Sequence, residues 1–279
     1  MVEKLPLPEC VYDLKNRVTL VTGAAGAIGG AICRKFLKAN SRVFLTDLPG
    51  PGLENLLADF QKEFGEKVAG GVMDVTDEFS VSAGVEKVVS HFDRLDIAVL
   101  NAGIAHVSSL KDMNFSDFRK LERVNLEGIV LLLRELARHF ERQATGGDII
   151  VISTKNVFAP GACFGAYSAT KAAGHQLARI ASLELAPFDV RVNMVAPDAV
   201  FSDKNRPSGL WQTIGPERMR SRGLDESGLK EYYRQRNLLK VNVTAEEVAN
   251  AVLFFASRQT PTTGVTIPVD GGLPEATPR

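Results

Sequence analysis

Seven short apolar runs alternate with longer amphipathic ones along this 279-residue chain, and that rhythm limits its fold more than any single motif does. Arg17–Thr22, Arg42–Thr46, Lys67–Met73, Leu95–Leu100, Asp148–Ser153, Val190–Val195 and Val265–Val269 read as strands. Each is apolar along its whole length, the pattern of strands covered on both faces. Ile28–Ala39, Leu53–Phe64, Glu78–Phe92, Phe115–Arg142, Ala166–Ala186 and Ala245–Ser257 carry helical periodicity between them. Such alternation requires right-handed crossovers and predicts an α/β fold, a doubly wound parallel seven-stranded sheet with helices on both faces. One domain over residues 1–279 is expected. The rhythm breaks once, from Pro197 to about Lys240, so residues 198–240 are expected to form an insert, and inserts of this length commonly serve as lids.

The formal net charge is zero, which gives no electrostatic footprint for nucleic acid or an anionic membrane. No apolar run reaches the length of a membrane span, and Glu3, Pro6, Pro8, Glu9 and Asp13 interrupt any secretory leader. Cys10, Cys33 and Cys163 suit neither a disulfide framework nor a zinc site, so no metal is expected and a reducing, cytoplasmic setting is.

The first strand runs into Thr22-Gly-Ala-Ala-Gly-Ala-Ile-Gly29 and then into a helix. A glycine turn there presents backbone N–H groups and a helix N-terminus to a pyrophosphate, the Rossmann arrangement, with Gly23, Gly26, Ala27 and Ile28 in contact. Asp47 ends the second strand, 18 residues beyond Gly29, where a carboxylate accepts from the adenine ribose and repels a 2′-phosphate. NAD is therefore expected over NADP. Asp74 and Val75 end the third strand, placed to touch the adenine, and Asn101, Ala102 and Gly103 end the fourth, although turn chemistry alone also accounts for both segments. Tyr167-Ser-Ala-Thr-Lys171 places a phenol and an ammonium one helical turn apart. Such a pair is expected to lower the phenol pKa and let it trade protons near neutral pH.

Taken together, these segments resemble the short-chain dehydrogenase/reductase family over about Leu14 to Gly272, with Asn125, Arg191-Val-Asn193 to Pro197, and Thr263-Gly to Val269-Asp-Gly-Gly272 completing the order. Three positions depart from the family pattern. Ala27 stands where TGxxxGxG has its second glycine, Leu100 where Asn-Asn-Ala-Gly has its first Asn, and Thr154 where the catalytic serine lies thirteen residues before the tyrosine. The resemblance implies that Tyr167 is the general acid/base, that Lys171 tunes it and binds the nicotinamide ribose, and that Thr154 holds the substrate oxygen. It also implies that Asn125 anchors a relay water through its backbone, and that Pro197, Val200 and neighbouring backbone meet the carboxamide. Ser153 should face away from Thr154 by strand alternation. Homotetramers or homodimers are implied, packed through Phe115–Arg142, Ala166–Ala186 and the C-terminal strand.

Thr154-Lys-Asn-Val-Phe-Ala-Pro-Gly161, Pro197-Asp-Ala-Val200 and Tyr232 to Lys240 are similar to the dehydrogenase portion of bifunctional rhamnulose-phosphate aldolase/lactaldehyde dehydrogenases. The implied activity is NAD-dependent hydride transfer with a small secondary alcohol or carbonyl, a polyol, sugar, sugar phosphate or hydroxyaldehyde. A ketoacyl or ketone reductase and a weakly catalytic NAD sensor remain as alternatives. His106, Lys155, Asn156, Phe158, Cys163, Phe164, Asp198, Trp211 and Tyr233 are candidates for the substrate pocket. Ser202–Lys240 carries nine basic and five acidic residues, an excess that suits an anionic substrate or simply a solvated surface.

Overall fold

A computed structural model describes residues 12–201 and 208–276. The expectations for the N-terminal leader region, Cys10, Asp203, Lys204 and Arg206 fall outside those residues. The described residues form one parallel sheet of seven strands. These are β1 Val18–Thr22, β2 Arg42–Asp47, β3 Val68–Val72, β4 Ile97–Leu100, β5 Gly147–Ile152, β6 Val190–Pro197 and β7 Thr266–Val269, in the spatial order β3-β2-β1-β4-β5-β6-β7. Strand order reverses between β1 and β4, which opens a crevice at their carboxyl ends. The helices are α1 Ala27–Lys38, α2 Pro51–Phe64, α3 Glu78–Phe92, α4 Phe115–Glu122, α5 Gly128–Gln143, α6 Gly165–Glu184, α7 Gly209–Arg222, α8 Glu226–Arg236 and α9 Ala245–Ala256.

Two hydrophobic clusters lie on opposite faces of the sheet. Val21, Leu45, Val99 and Ile150 face Phe36, Phe60 and Leu253 of α1, α2 and α9. Leu20, Phe44, Ala98 and Ile149 face Phe92, Phe140 and Ala178 of α3, α5 and α6. Successive strand residues enter opposite clusters, which is why the central strands β1, β4 and β5 are buried at every position. The edge strands differ: Val72 of β3 is 47% exposed and all of β7 is half-buried, since an edge strand has a neighbour on one side only.

The expected helix over Phe115–Arg142 is interrupted. A π turn at Arg123–Glu127 separates α4 from α5, and Gly128 N–H donates to Arg123 O five residues back. The extra residue leaves Asn125 only 1% exposed. Gly128 allows the close approach that follows, because a Cβ there would sit 3.0 Å from Val75 Cγ2. π turns of this kind gather at functional sites.

At the opposite end, the amino ends of the strands, Arg17, Arg191 and Arg258 converge on Asp148 of β5 at 2.6, 2.7 and 2.9 Å. The Asp148 side chain is 2% exposed, so three cations share one buried carboxylate.

Candidate active site

Two clefts open at the carboxyl ends of the central strands and share Ile28, Asn101 and Gly103 along their border. The first, about 700 Å3, is lined by Gly23, Gly26, Ala27, Gly29, Asp47, Asp74, Val75 and Ala102. The second, about 470 Å3, is lined by Thr154, Tyr167, Lys171, Pro197, Val200 and residues of α7 and α8.

The first cleft is shaped by backbone proximity. Gly23 has φ +65°, and a Cβ on Gly29 would lie 2.1 Å from Gly23 O and 2.8 Å from Ala24 Cα. Only glycine fits either position without moving backbone. Gly26 caps α1 with no side-chain hydrogen bond, so the first N–H groups of that helix face the cleft. Ala27 places its methyl in the core cluster beneath the turn, which is how the turn accommodates this departure from the family pattern. Asp47 ties the turn to β2, its carboxylate accepting from Ala25 N–H and Leu48 N–H at 2.8 Å each. A carboxylate has further acceptor capacity beyond two such bonds. Asn101 has a role that sequence reasoning missed: its Nδ2 donates to Thr22 O and Gly23 O at 3.0 and 2.9 Å, stitching β4 to the glycine turn. Asp74 lies two residues beyond β3 rather than at its end, and its Oδ1 accepts from Thr76 N–H at 2.9 Å.

In the second cleft, Thr154 follows β5 and Tyr167 sits in the first turn of α6. The Thr154 hydroxyl and the Tyr167 phenol line this cleft together. Burial raises the phenol pKa above the usual tyrosine range, and the Thr154 hydroxyl offsets only part of that. The expected lowering by Lys171 is therefore corrected. Lys171 Nζ donates to Ile152 O at 2.9 Å, and burial dominates the phenol. Burial instead brings the Lys171 pKa down to about 8. Gly103 lies close beside it: a Cβ there would come within 3.1 Å of Lys171 Nζ and 3.2 Å of Asn125 Oδ1. Ser153 turns to the other face, as strand alternation predicts, and pairs with His175 Nδ1 at 2.9 Å.

Asn125 lines neither cleft. Its amide brackets one residue: Oδ1 accepts from Ile104 N–H at 3.0 Å and Nδ2 donates to Ile104 O at 2.9 Å. This holds the loop after β4 against the π turn.

Of the substrate-pocket candidates, Lys155, Asn156, Phe164, Asp198, Trp211 and Tyr233 line the second cleft, while His106 lines the first. Phe158 packs edge-on against His175, and Cys163 holds a left-handed φ of 68° in the loop; neither lines a cleft. Arg218, Arg222 and Arg236, three of the insert's nine basic residues, line the second cleft too, as do Tyr232 and Glu275, which were not expected there. A signal for Arg218 was present: Leu210, Ile214 and Arg218 recur every four residues and share one face of α7. Asp198 accepts a two-pronged pair from Arg236 at 2.7 and 2.8 Å. Burial, then Arg236, lowers the Lys155 pKa to about 8, with Arg218 adding to it and Asp198 and Glu275 opposing it.

A protonated phenol with a hydroxyl beside it, at the wall of a cavity continuous with a dinucleotide-shaped cleft, can deliver a proton to a substrate oxygen. The fold and this site define an oxidoreductase. The chain belongs to the short chain dehydrogenase family, whose model matches residues 17–213, and whose members use nicotinamide cofactors on small molecules. It is 34% identical to the uncharacterized oxidoreductase YuxG of Bacillus subtilis over 99% of its own length, and spans 40% of that relative. It is 30% identical to the sorbitol-6-phosphate 2-dehydrogenase of Escherichia coli, covering 92% of this chain and 98% of that one. The crystal structure of sorbitol-6-phosphate 2-dehydrogenase SrlD from Erwinia amylovora matches with a TM-score of 0.84 at 28% identity, over 91% and 98% of the two chains.

Proposed function

We propose that this chain is an NAD-dependent dehydrogenase interconverting a secondary alcohol and a carbonyl in a small polyol, sugar or hydroxyaldehyde. The observation that carries the reading is the buried Thr154–Tyr167 hydroxyl pair in the cleft that adjoins the glycine-turn cleft. The residues suit a dinucleotide: the uncapped start of α1, drawn tight against the turn because only glycine fits at position 29, forms a cradle for a pyrophosphate. Gly23, Gly26, Ala27 and Ile28 would hold that group, Asp47 the adenine ribose, and Asp74 and Val75 the adenine. Asn101, Ala102 and Gly103 would lie along the middle of the molecule. Tyr167 and Lys171 would meet the nicotinamide ribose, and Pro197 and Val200 the carboxamide. Asp47 has no ion-pair partner among the described residues, which supports NAD over NADP.

Bound nicotinamide supplies or accepts the hydride. Tyr167 gives its proton to the substrate oxygen during reduction and takes it back during oxidation. Its raised pKa keeps it protonated at neutral pH and suits it to the acid role. Thr154 holds the same oxygen. Lys171 keeps a positive charge at that end of the cavity below about pH 8. Asn125 fixes the loop that carries Gly103 and Ile104. The insert, with α7 and α8, forms the outer wall and acts as the substrate lid.

The similarity to the dehydrogenase portion of aldolase/lactaldehyde dehydrogenases supports hydroxyaldehydes among the substrates. A homotetramer or homodimer is part of this reading, supported by exposed Val130 on α5 and Ile180 and Leu183 on α6. So is a cytoplasmic setting, supported by the free thiol of Cys163. Among the described residues, no helix is long and apolar enough to cross a membrane.

The test is an oxidation screen of polyols, sugars, 1,2-diols and lactaldehyde-type compounds with NAD and NADP, repeated with Tyr167→Phe. Turnover with NAD is expected, falling at least about 100-fold in the variant while NADH still binds. Near-full turnover by Tyr167→Phe would overturn the assignment.

A further inference from the structure

The substrate end of the second cleft carries more positive charge than its own walls neutralise. Five cations line it, Lys155, Lys171, Arg218, Arg222 and Arg236, against two carboxylates, Asp198 and Glu275. Asp198 is already committed to Arg236, and Glu275 is exposed. Arg218 is the anomaly. It is 4% exposed, yet among the described residues no carboxylate pairs with it. Its Nη2 meets the Tyr233 hydroxyl at 3.3 Å, its guanidinium lies over the Phe164 ring at 5.0 Å, and its buried Nε has no partner. A buried guanidinium without a counter-ion is strongly unfavourable unless something else supplies the negative charge. Lys155 stands on the same cavity, 8% exposed, with its ammonium on Ala159 O at 3.0 Å and, among the described residues, no carboxylate in ion-pair contact. It is the residue next to Thr154 in the chain.

The position fits a substrate. Phe164 meets both Arg218 and Tyr167, the two aromatic rings 6.0 Å apart. Arg218 is thus one aromatic ring away from the proton donor. A guanidinium fork and a point-charge ammonium together match an oxyanion with two or three oxygens. We propose that Arg218 and Lys155 form an anion subsite, so that the physiological substrate is a small polyol or hydroxycarbonyl compound bearing a phosphate or carboxylate group. This rests on the dehydrogenase reading above for its reacting end, but the subsite can be tested without turnover.

Trp211 is the sole tryptophan and lines this cleft, so its fluorescence reports occupancy directly. Inorganic phosphate, malonate and glycerol would be titrated into the purified full-length protein at matched ionic strength. A saturable response to phosphate or malonate but not to glycerol is expected, and which anion binds more tightly separates the phosphate from the carboxylate. The affinity should fall at least tenfold in Arg218→Gln and in Lys155→Gln, and Arg218→Lys should recover part of it. In turnover, kcat/KM for an anionic substrate should exceed that for its neutral counterpart at least tenfold, with the gap shrinking in Arg218→Gln. No saturable response to either anion by the unmodified protein would overturn the proposal, as would unchanged affinity in a folded, NADH-binding Arg218→Gln. Anion binding without turnover of any alcohol would instead overturn the dehydrogenase reading and leave the subsite standing. Turnover of neutral polyols with no anion preference would do the reverse.

Discussion

Lys171 shows how much a spacing can and cannot say. Four residues put Tyr167 and Lys171 on one face of α6, and that much was legible in the sequence. The spacing did not reveal that a lysine is long enough to turn away and satisfy Ile152 O on the neighbouring strand. The phenol is left to burial and to Thr154. Thr154→Ala should therefore lower kcat by about 100- to 1,000-fold, the usual cost of losing one donor at a reacting oxygen. Thr154→Ser should keep most of the activity, which steady-state kinetics on the pair would check. Lys171 also makes stability depend on pH. Its folded pKa of about 8 lies below its ordinary 10.5, so from pH 8 upward the unfolded chain binds a proton that the folded one has released. Its contribution to stability thus grows as pH rises from about 8 and is complete above about 10.5. Lys171→Met lacks this dependence. Between pH 8 and 10 the unfolding free energy of the unmodified protein should gain on that of the variant by on the order of 2 kcal/mol in urea titrations.

At the level of elements, the strands and most helices followed from the apolar pattern within a residue or two, because two cores on opposite faces of the sheet enforce it. Two features did not. The π turn before α5 shifts register by a single residue, which a 3.6-residue period does not register. Helices α7 and α8 are mostly polar, and only the four-residue recurrences Leu210–Ile214–Arg218 and Leu229–Tyr233 mark their inner faces. The glycine turn was legible as a motif, but the reason for its last glycine lies in tertiary approach. A Cβ at position 29 would drive into Gly23 O, so Gly29→Ala must displace the turn or the start of α1. The expected result is at least a tenfold loss in NADH affinity, together with about 1–3 kcal/mol of destabilisation. Fluorescence titration and thermal unfolding would measure the two effects.

On the scale of the whole molecule, chemistry and reinforcement sit at opposite ends of the sheet. The clefts lie at the carboxyl ends of the strands, while Asp148 gathers Arg17, Arg191 and Arg258 at the amino ends. Sequence alone did not single out Asp148, because its three partners come from distant segments that meet only in the folded sheet. Asp148→Ala would leave three guanidinium groups around an empty place and should cost about 3–5 kcal/mol, seen as a lower denaturation midpoint. Its KM for NAD should stay unchanged, since the network touches neither cleft. The strand order carries a different consequence, for how the chain is made. Once β4 has docked beside β1, each later strand joins the outer margin of the growing sheet, and none has to wedge between two already paired. A nascent polypeptide can therefore add strands in the order in which they leave the ribosome, and the nucleotide-shaped half is assembled before the segment bearing Tyr167 has emerged. At each stage that advancing margin is an unpaired template for other chains, and in the finished sheet β7 holds the last of it.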